Sequence, residues 1–339
     1  MLVGIYLASH TFGLGTISLA LSLAPYLVLV GIGQMLVISA GPGNIDVSVG
    51  NIVSLAGFVS VGVTSSTGSV TLGLLAGAGS GVGTAVISVI AITLVRIPPI
   101  VATLASGLIA SSFTLTLANG FTANPSPALR SFVNASVGGV PIIAIITALF
   151  TVVVVLVLKF TVIGRSLVAV GQNRRAAEYA GIKSVRVIAG TYLVSGLLAG
   201  ISGALLATYI APTADLGTSY LLDSIAVVVV GGTLISGGRA VSAGVWGGAL
   251  FFILLDSFLN LIGFSLAGQN VLKGALVLAV LFLAGGAVRR RRGVPIDPPT
   301  TGIRLPAMMV AGVPGAVPAE PGEPGAVVPG AVPAEPERE

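Results

Sequence analysis

Four ionisable residues lie within or beside long apolar stretches of the sequence: Asp46, Asp223, Asp256 and Lys273. A charged side chain in hydrocarbon costs several kcal/mol unless it is hydrated or paired. These residues therefore predict ion pairs, or a path for a substrate or an ion. Hydrolytic chemistry needs a Ser/His or His/Glu set, but His10 is the single histidine, and there is no cysteine. We therefore expect no catalytic residues, no metal site and no cofactor.

Lys273 and Asp256 are predicted to lie at the same depth in two consecutive apolar runs. If the runs are antiparallel helices, both residues stand about 10 Å from the outer ends. We expect Lys273 to pair with Asp256, or with Asp223 if the helices pack in another order. The alternative is that the lysine side chain extends to the outer surface. Asp46 stands near the start of its run, where an N-cap and a role in gating are both open.

The apolar runs dominate the sequence. Of 339 residues, 55% are hydrophobic and 8% are charged, whereas soluble domains carry about 25% charged residues. Runs of about 20 apolar residues follow one another with short polar or Gly/Pro-rich breaks, and such runs span a bilayer as helices. The sequence predicts an all-α, polytopic transmembrane helical bundle of about nine spans, near 17–39, 45–64, 70–95, 98–118, 137–159, 187–210, 221–236, 241–263 and 267–288.

Two clusters of positive charge indicate the orientation of the bundle. One lies in and beside the loop 160–187, and the other follows the last span at 289–292. Lys and Arg accumulate on the cytoplasmic side, and the four predicted spans between the clusters put both on that side. The net charge of +5 therefore indicates orientation in a bacterial inner membrane, and we expect no nucleic-acid partner. Because nine spans place the N-terminus outside, we expect the native reading frame to begin upstream of Met1 with one more span.

The composition changes after Arg292. The string GAVPAEP occurs at 315–321 and again at 330–336, and frequent proline together with few bulky apolar residues disfavours a packed structure. We expect 293–339 to be a disordered Pro/Gly/Glu-rich cytoplasmic tail, with a docking tail as the alternative. The predicted domains are therefore a transmembrane domain at 1–288, with a cytoplasmic loop at 160–187 inside it, and this tail.

A short helix is predicted inside the loop 160–187. Asn173 is a suitable N-cap, residues 174–180 can form two helical turns, and Gly181 is suited to the position after the C-terminus. Small alanines in this helix would allow close approach to another protein, and its charges would set the register of contact. The residues alone leave open whether this is a docking helix or an ordinary charged loop.

Three strings resemble motifs of the ribose-type and branched-chain amino-acid-type ABC permeases. Residues 170–182 (VGQNRRAAEYAGI) are similar to the cytoplasmic coupling loop of that family. Residues 43–50 (GNIDVSVG) are similar to a string of its sugar branch, and 222–226 (LDSIA) with 231–239 (GGTLISGGR) are similar to a third motif. Together the three cover about 34–285 in the same order. The chain therefore resembles the permease subunit of a ribose-type sugar importer.

The resemblance implies partners and a contact surface. It implies a second permease subunit, ATP-binding cassette ATPase subunits on the cytoplasmic side and an extracytoplasmic substrate-binding protein. It also implies that the coupling loop contacts the ATPase through Gly171, Asn173, Arg174, Arg175, Ala176, Ala177, Glu178, Gly181 and Ile182. The residues themselves support the need for an ATPase. A P-loop requires Gly-Lys-Ser/Thr, and none of the three lysines follows a glycine.

The chain departs from the family pattern in several places. The first of the ten helices expected for the family is missing, Pro42 and Asn44 alter the start of the second string, and Ala240 stands where glycine is common. Two other functions are weighed. A branched-chain amino-acid permease is disfavoured by the Ile-Asp-Val-Ser string at 45–48, and an ion-coupled secondary transporter using Asp223 and Asp256 would need no ATPase.

Overall fold

The computed structural model describes residues 14–291. Its helices are α1 Leu14–Ser39, α2 Val49–Thr67, α3 Val70–Thr93, α4 Pro99–Ala118, α5 Pro127–Val133, α6 Ile142–Phe160, α7 Val162–Gln172, α8 Arg174–Tyr179, α9 Ser184–Tyr209, α10 Thr218–Val230, α11 Ser242–Leu261 and α12 Leu266–Arg291. A two-residue hairpin, β1 Ser136–Val137 and β2 Val140–Pro141, precedes α6. His10 and the predicted tail at 293–339 lie outside the described residues.

The predicted all-α membrane bundle is confirmed. Among the described residues, seven helices are long and apolar enough to cross a bilayer: α1, α2, α3, α4, α6, α9 and α11. Their lengths of 19 to 26 residues match the roughly 20 residues that a hydrocarbon core requires. Large apolar side chains on α3, α4 and α6 are exposed, including Leu75, Phe113 and Leu149. These surfaces fit lipid tails, because a soluble protein would bury them.

Helix α1 forms the centre of the bundle. It is buried along most of its length and contacts α6, α9, α10 and α11. Its apolar side chains, such as Ile32 and Met35, join a core with Val227 and Phe252. An apolar helix with no polar face is expected to be surrounded by protein or lipid, and here it is surrounded by protein.

Glycines bring α3 and α9 into backbone contact. A Cβ added at Gly196 on α9 would lie 2.5 Å from the carbonyl oxygen of Gly81 on α3, and one at Gly200 would lie 2.6 Å from that of Gly77. Only glycine therefore allows this crossing, as small residues do in membrane bundles, where no hydrophobic effect drives helices together.

Three predicted spans differ from the structure. The span predicted at 137–159 begins only at Ile142, after the hairpin of β1 and β2. The span predicted at 45–64 begins only at Val49, because residues 40–48, named here the broken segment, are not helical. Gly41 and Gly43 take φ values of +132° and +81° there, and glycine is the residue that adopts them without strain.

The span predicted at 221–236 is a helix of thirteen residues, α10, which is too short to cross a bilayer. It ends before Gly231 and Gly232, and the chain continues without helix to Val241; residues 231–241 are named here the return loop. A backbone hydrogen bond joins the start of this loop to the end of α10, because Thr233 N donates to the Val228 carbonyl at 3.1 Å. Irregular backbone at membrane depth is tolerated where protein surrounds it, and Thr233, Gly237 and Gly238 are buried.

Candidate functional site

The predicted coupling segment forms the short helix α8. The Asn173 side-chain oxygen accepts a hydrogen bond from Ala176 N at 3.1 Å, so this residue is the N-cap. Gly181 takes φ +84°, and the amide of Ile182 donates to the Ala177 carbonyl at 3.0 Å, which closes the C-terminus. The local structure predicted for this segment is thus present.

The two faces of α8 differ. Ala177 is buried and packs with residues of α1, α7 and α9, including Val37, Leu167 and Tyr192. The methyl group of Ala177 therefore faces the bundle, although the sequence grouped this residue with those expected to contact the ATPase. Ala176 and Ala180 are exposed instead.

The exposed face of α8 carries charge and one aromatic ring. Arg174 Nε lies 3.0 Å from Glu178 Oε1 in a solvent-exposed pair, and Arg175 is exposed beside them. Tyr179 is 91% exposed. Sequence reasoning did not single out this tyrosine, although an aromatic residue between charges on a short helix is typical of interface anchors.

The end of α7 touches both irregular segments at one junction. Gly171 lies so close to the Ser39 carbonyl at the end of α1 and to the Gly238 amide in the return loop that a side chain would not fit. The Gly238 amide donates to the Ser39 carbonyl at 3.0 Å, and Gln172 Nε2 lies 3.5 Å from the Gly238 carbonyl. A Cβ added at Gly41 of the broken segment would lie 3.8 Å from Gly171 Cα. The end of α7, the broken segment and the return loop therefore meet at this place.

A cavity of about 920 Å³ adjoins this junction. It lies among the end of α1, the connection between α3 and α4, and the turn between α7 and α8. Of the described residues that line it, Arg96, Arg174 and Arg175 are basic and none is acidic. The positive-inside rule places such a surface on the cytoplasmic side.

Asp46 in the broken segment is fully buried and forms no ion pair with any described residue. Its Oδ1 accepts hydrogen bonds from Ser48 N at 3.0 Å and Ser48 Oγ at 2.6 Å, and its Oδ2 accepts one from Ser195 Oγ at 2.8 Å. Ser195 is about 16 Å along α9 from the start of that helix. Asp46 thus lies well inside the protein.

Asp46 is also not the N-cap of α2. Ser48 occupies that position, and its side chain makes no capping hydrogen bond. The neighbouring Asn44 is tied to α9 as well, because Tyr192 OH donates to its Oδ1 at 3.4 Å. Sequence reasoning missed Ser195 and Tyr192, since a serine and a tyrosine on an apolar helix carry no sign of a partner about 150 residues away.

Lys273 lies between two carboxylates in a group named here the charge cluster: Asp223 on α10, Asp256 on α11 and Lys273 on α12. Lys273 Nζ is 3.1 Å from Asp223 Oδ2, and it is 2.8 and 2.9 Å from the two carboxylate oxygens of Asp256. The sequence predicted a pair with one of these aspartates, whereas the structure has both. The side chains of Lys273 and Asp223 are buried, and that of Asp256 is 26% exposed.

Comparison with known proteins points to transport. The sequence profile of a protein family described as "Branched-chain amino acid transport system / permease component" matches residues 16–283. The ribose import permease protein of Bacillus subtilis (strain 168) is 35% identical over 264 residues, which cover 75% of this chain and 80% of that protein.

Two further relatives have similar coverage. A probable ABC transporter permease protein of Sinorhizobium fredii is 31% identical over 79% of this chain and 80% of its own length. The galactofuranose transporter permease protein of Escherichia coli (strain K12) is 32% identical over 78% of this chain and 77% of its own length. No solved structure matches the chain significantly.

Proposed function

Because the chain belongs to the family of branched-chain amino acid transport system permease components, we propose that it is the membrane-spanning permease subunit of an ABC importer for a sugar. The observation that carries this proposal is the 35% identity to a ribose import permease over 80% of that protein. The relative that transports galactofuranose supports a sugar as the substrate class, in preference to a branched-chain amino acid. The chain is accordingly a multi-pass protein of the bacterial inner membrane.

The permease works with partners and has no enzymatic activity of its own in this proposal. ATPase subunits on the cytoplasmic side supply the energy, because no lysine of the chain stands in a Gly-Lys-Ser/Thr string. An extracytoplasmic binding protein delivers the sugar. A second permease subunit, identical or related, completes the membrane part.

The coupling helix α8 docks to the ATPase through its exposed face. Arg174, Arg175 and Glu178 offer charges that fix the register of a contact. Tyr179 offers an exposed ring that a pocket on the partner would bury. The buried Ala177 holds the helix to the bundle, so that a push on α8 moves the helices behind it.

Two routes lead from α8 into the membrane domain. Along the first, Gly171 and Gln172 touch Gly238 in the return loop, which continues backward into α10. Along the second, α9 follows α8 directly and holds Asp46 of the broken segment through Ser195. Both routes end on irregular backbone, which can change its φ and ψ angles at lower cost than a regular helix. We infer that these two segments move when the ATPase closes.

Reconstitution tests the proposed function. Proteoliposomes containing the permease, its ATPase and its binding protein should accumulate ribose or galactofuranose when ATP is supplied on the cytoplasmic side. Leucine serves as the control substrate for the branched-chain alternative. Leucine uptake, or sugar uptake driven by a proton gradient without the ATPase, would refute the proposal.

Variants of α8 test the docking surface separately. Ala180→Trp places a large side chain on the exposed face, and it should abolish ATPase binding in a pull-down from detergent while the permease still reaches the membrane. Ala128→Trp is the matched control, because Ala128 is an exposed residue of the other short helix, α5. Equal ATPase binding by both variants would show that α8 does not dock.

A further inference from the structure

The charge cluster has one excess negative charge when all three of its groups are ionised. Two carboxylates, one from α10 and one from α11, share the single ammonium group of Lys273 at distances of 2.8 to 3.1 Å. Two anions this close to each other in a protein interior repel strongly, and a proton relieves the repulsion. The geometry therefore favours the binding of one proton by the two carboxylates.

The helices packed against the cluster do not supply a second cation. Tyr220 on α10 lies beside the cluster, and Tyr26 on α1 lies beside Tyr220; a neutral phenol does not cancel a charge. α2 carries no acid or base. α6, which contacts α11, carries Lys159 at its cytoplasmic end, far from the cluster. Within the described residues, the excess charge is thus uncompensated.

We propose that the charge cluster is a proton-binding site, in which Asp223 and Asp256 share one exchangeable proton, and that its occupancy makes transport sensitive to pH. The proton belongs to the pair of carboxylates and not to either residue alone, because interacting groups titrate together. This inference deepens the proposed function, since it concerns regulation of the same permease.

The structure provides an entrance and a consequence for the proton. The 26% exposed side chain of Asp256 gives access from outside the cluster, and Asp223 with Lys273 lines a cavity of about 280 Å³ between α10 and α12. Without the proton, both carboxylates pair with the ammonium group, and the pair of Asp223 with Lys273 links α10 to α12. With the proton bound, only one carboxylate is charged, and the ion pair between α10 and α12 weakens. The proton therefore acts on α10. The return loop connects α10 to the junction at Gly171.

Infrared spectroscopy of the purified full-length chain tests proton binding directly. Between about pH 6.5 and pH 9, exposed carboxyl groups are ionised, so that only buried ones contribute a protonated carboxyl band. The wild-type band should lose one carboxyl per chain as the pH rises. A band that stays constant over this range would overturn the proposal, and this measurement needs no variant.

Asparagine variants assign the band to the cluster. Asp223→Asn and Asp256→Asn should each lose the titrating carboxyl, because the remaining carboxylate then pairs one to one with Lys273. Asp46→Asn is the control, since Asp46 is the other buried carboxylate described, and the titrating band should persist in this variant. A titrating carboxyl that persists in either cluster variant would overturn the proposal.

Transport provides the second readout. Sugar uptake by wild-type proteoliposomes should change with the pH over the range in which the band titrates, and both cluster variants should lose that dependence. A pH dependence that is unchanged in the variants would overturn the regulatory part. The infrared result requires neither the ATPase nor a sugar, so it stands or fails independently of the proposed function.

Discussion

Replacing Gly196 by alanine tests the close crossing of α3 and α9. The added Cβ would lie 2.5 Å from the Gly81 carbonyl oxygen and 2.6 Å from the Ala85 methyl carbon. Ordinary contacts begin near 3.5 Å, so the two helices must separate by roughly 1 Å. The neighbouring Gly200, which meets α3 in the same way, would lose its contact as well.

The cost can be set against the gain in helix propensity. Overpacking of this kind destabilises a protein by about 1 to 3 kcal/mol, while alanine is favoured over glycine in a helix by up to about 1 kcal/mol. We therefore expect Gly196→Ala to lower the free energy of unfolding by about 1 to 2 kcal/mol. For a chain of this size that corresponds to a melting temperature lower by about 1 to 3 °C.

Gly190 provides the matched control on the same helix. A Cβ added at Gly190 meets no atom within 4 Å, so Gly190→Ala should leave the melting temperature unchanged or raise it slightly. Thermal unfolding in one detergent, followed by circular dichroism, compares the two variants with the wild type. If Gly196→Ala melts at or above the temperature of Gly190→Ala, the close crossing of these helices is wrong.

Three further variants test the other contacts. Lys273→Ala should cost about 3 to 5 kcal/mol, because it leaves the buried carboxylate of Asp223 and the partly exposed one of Asp256 without a cation. Adding Asp223→Asn and Asp256→Asn should restore much of the melting temperature. A triple variant no more stable than Lys273→Ala would contradict the shared pairing. Tyr179→Ala should weaken ATPase binding by about 2 kcal/mol, or roughly thirtyfold in Kd, and leave the melting temperature unchanged. Titration with labelled ATPase measures this affinity, and an unchanged Kd would exclude the ring from the interface. Ser195→Ala removes one hydrogen-bond donor from the buried carboxylate of Asp46 and should lower the free energy of unfolding by about 1 to 3 kcal/mol. Thermal unfolding measures this loss, and an unchanged melting temperature would refute it.

Hydropathy predicted the spans well where a helix crosses the whole membrane. The predicted 70–95 and 98–118 correspond to α3 and α4, which the structure places at Val70–Thr93 and Pro99–Ala118. It failed at α10, because an apolar run can have the same composition whether the helix continues to its end or stops after thirteen residues. Gly231 and Gly232 were visible as possible breaks, but many glycines of this chain lie inside regular helices.

For the short helix α8, the sequence predicted the two ends of the helix but not the direction in which its side chains point. Its N-cap at Asn173 and its end at Gly181 depend on neighbouring residues, so they could be predicted. The direction in which the Ala177 side chain points depends on the surrounding helices, so it could not be predicted from the sequence. The same holds for Asp46, whose partner Ser195 comes from a distant part of the chain.

The sequence by itself determined the class of the protein, the approximate position of most spans, the capped short helix α8 and the resemblance to sugar permeases. These properties follow from composition and from contacts between residues close in the chain. Only the tertiary structure decided that Lys273 contacts two carboxylates, that α10 ends after thirteen residues and that three segments meet at Gly171. Each of these depends on which helices lie side by side, and apolar helices of similar length carry little information about their neighbours until they pack.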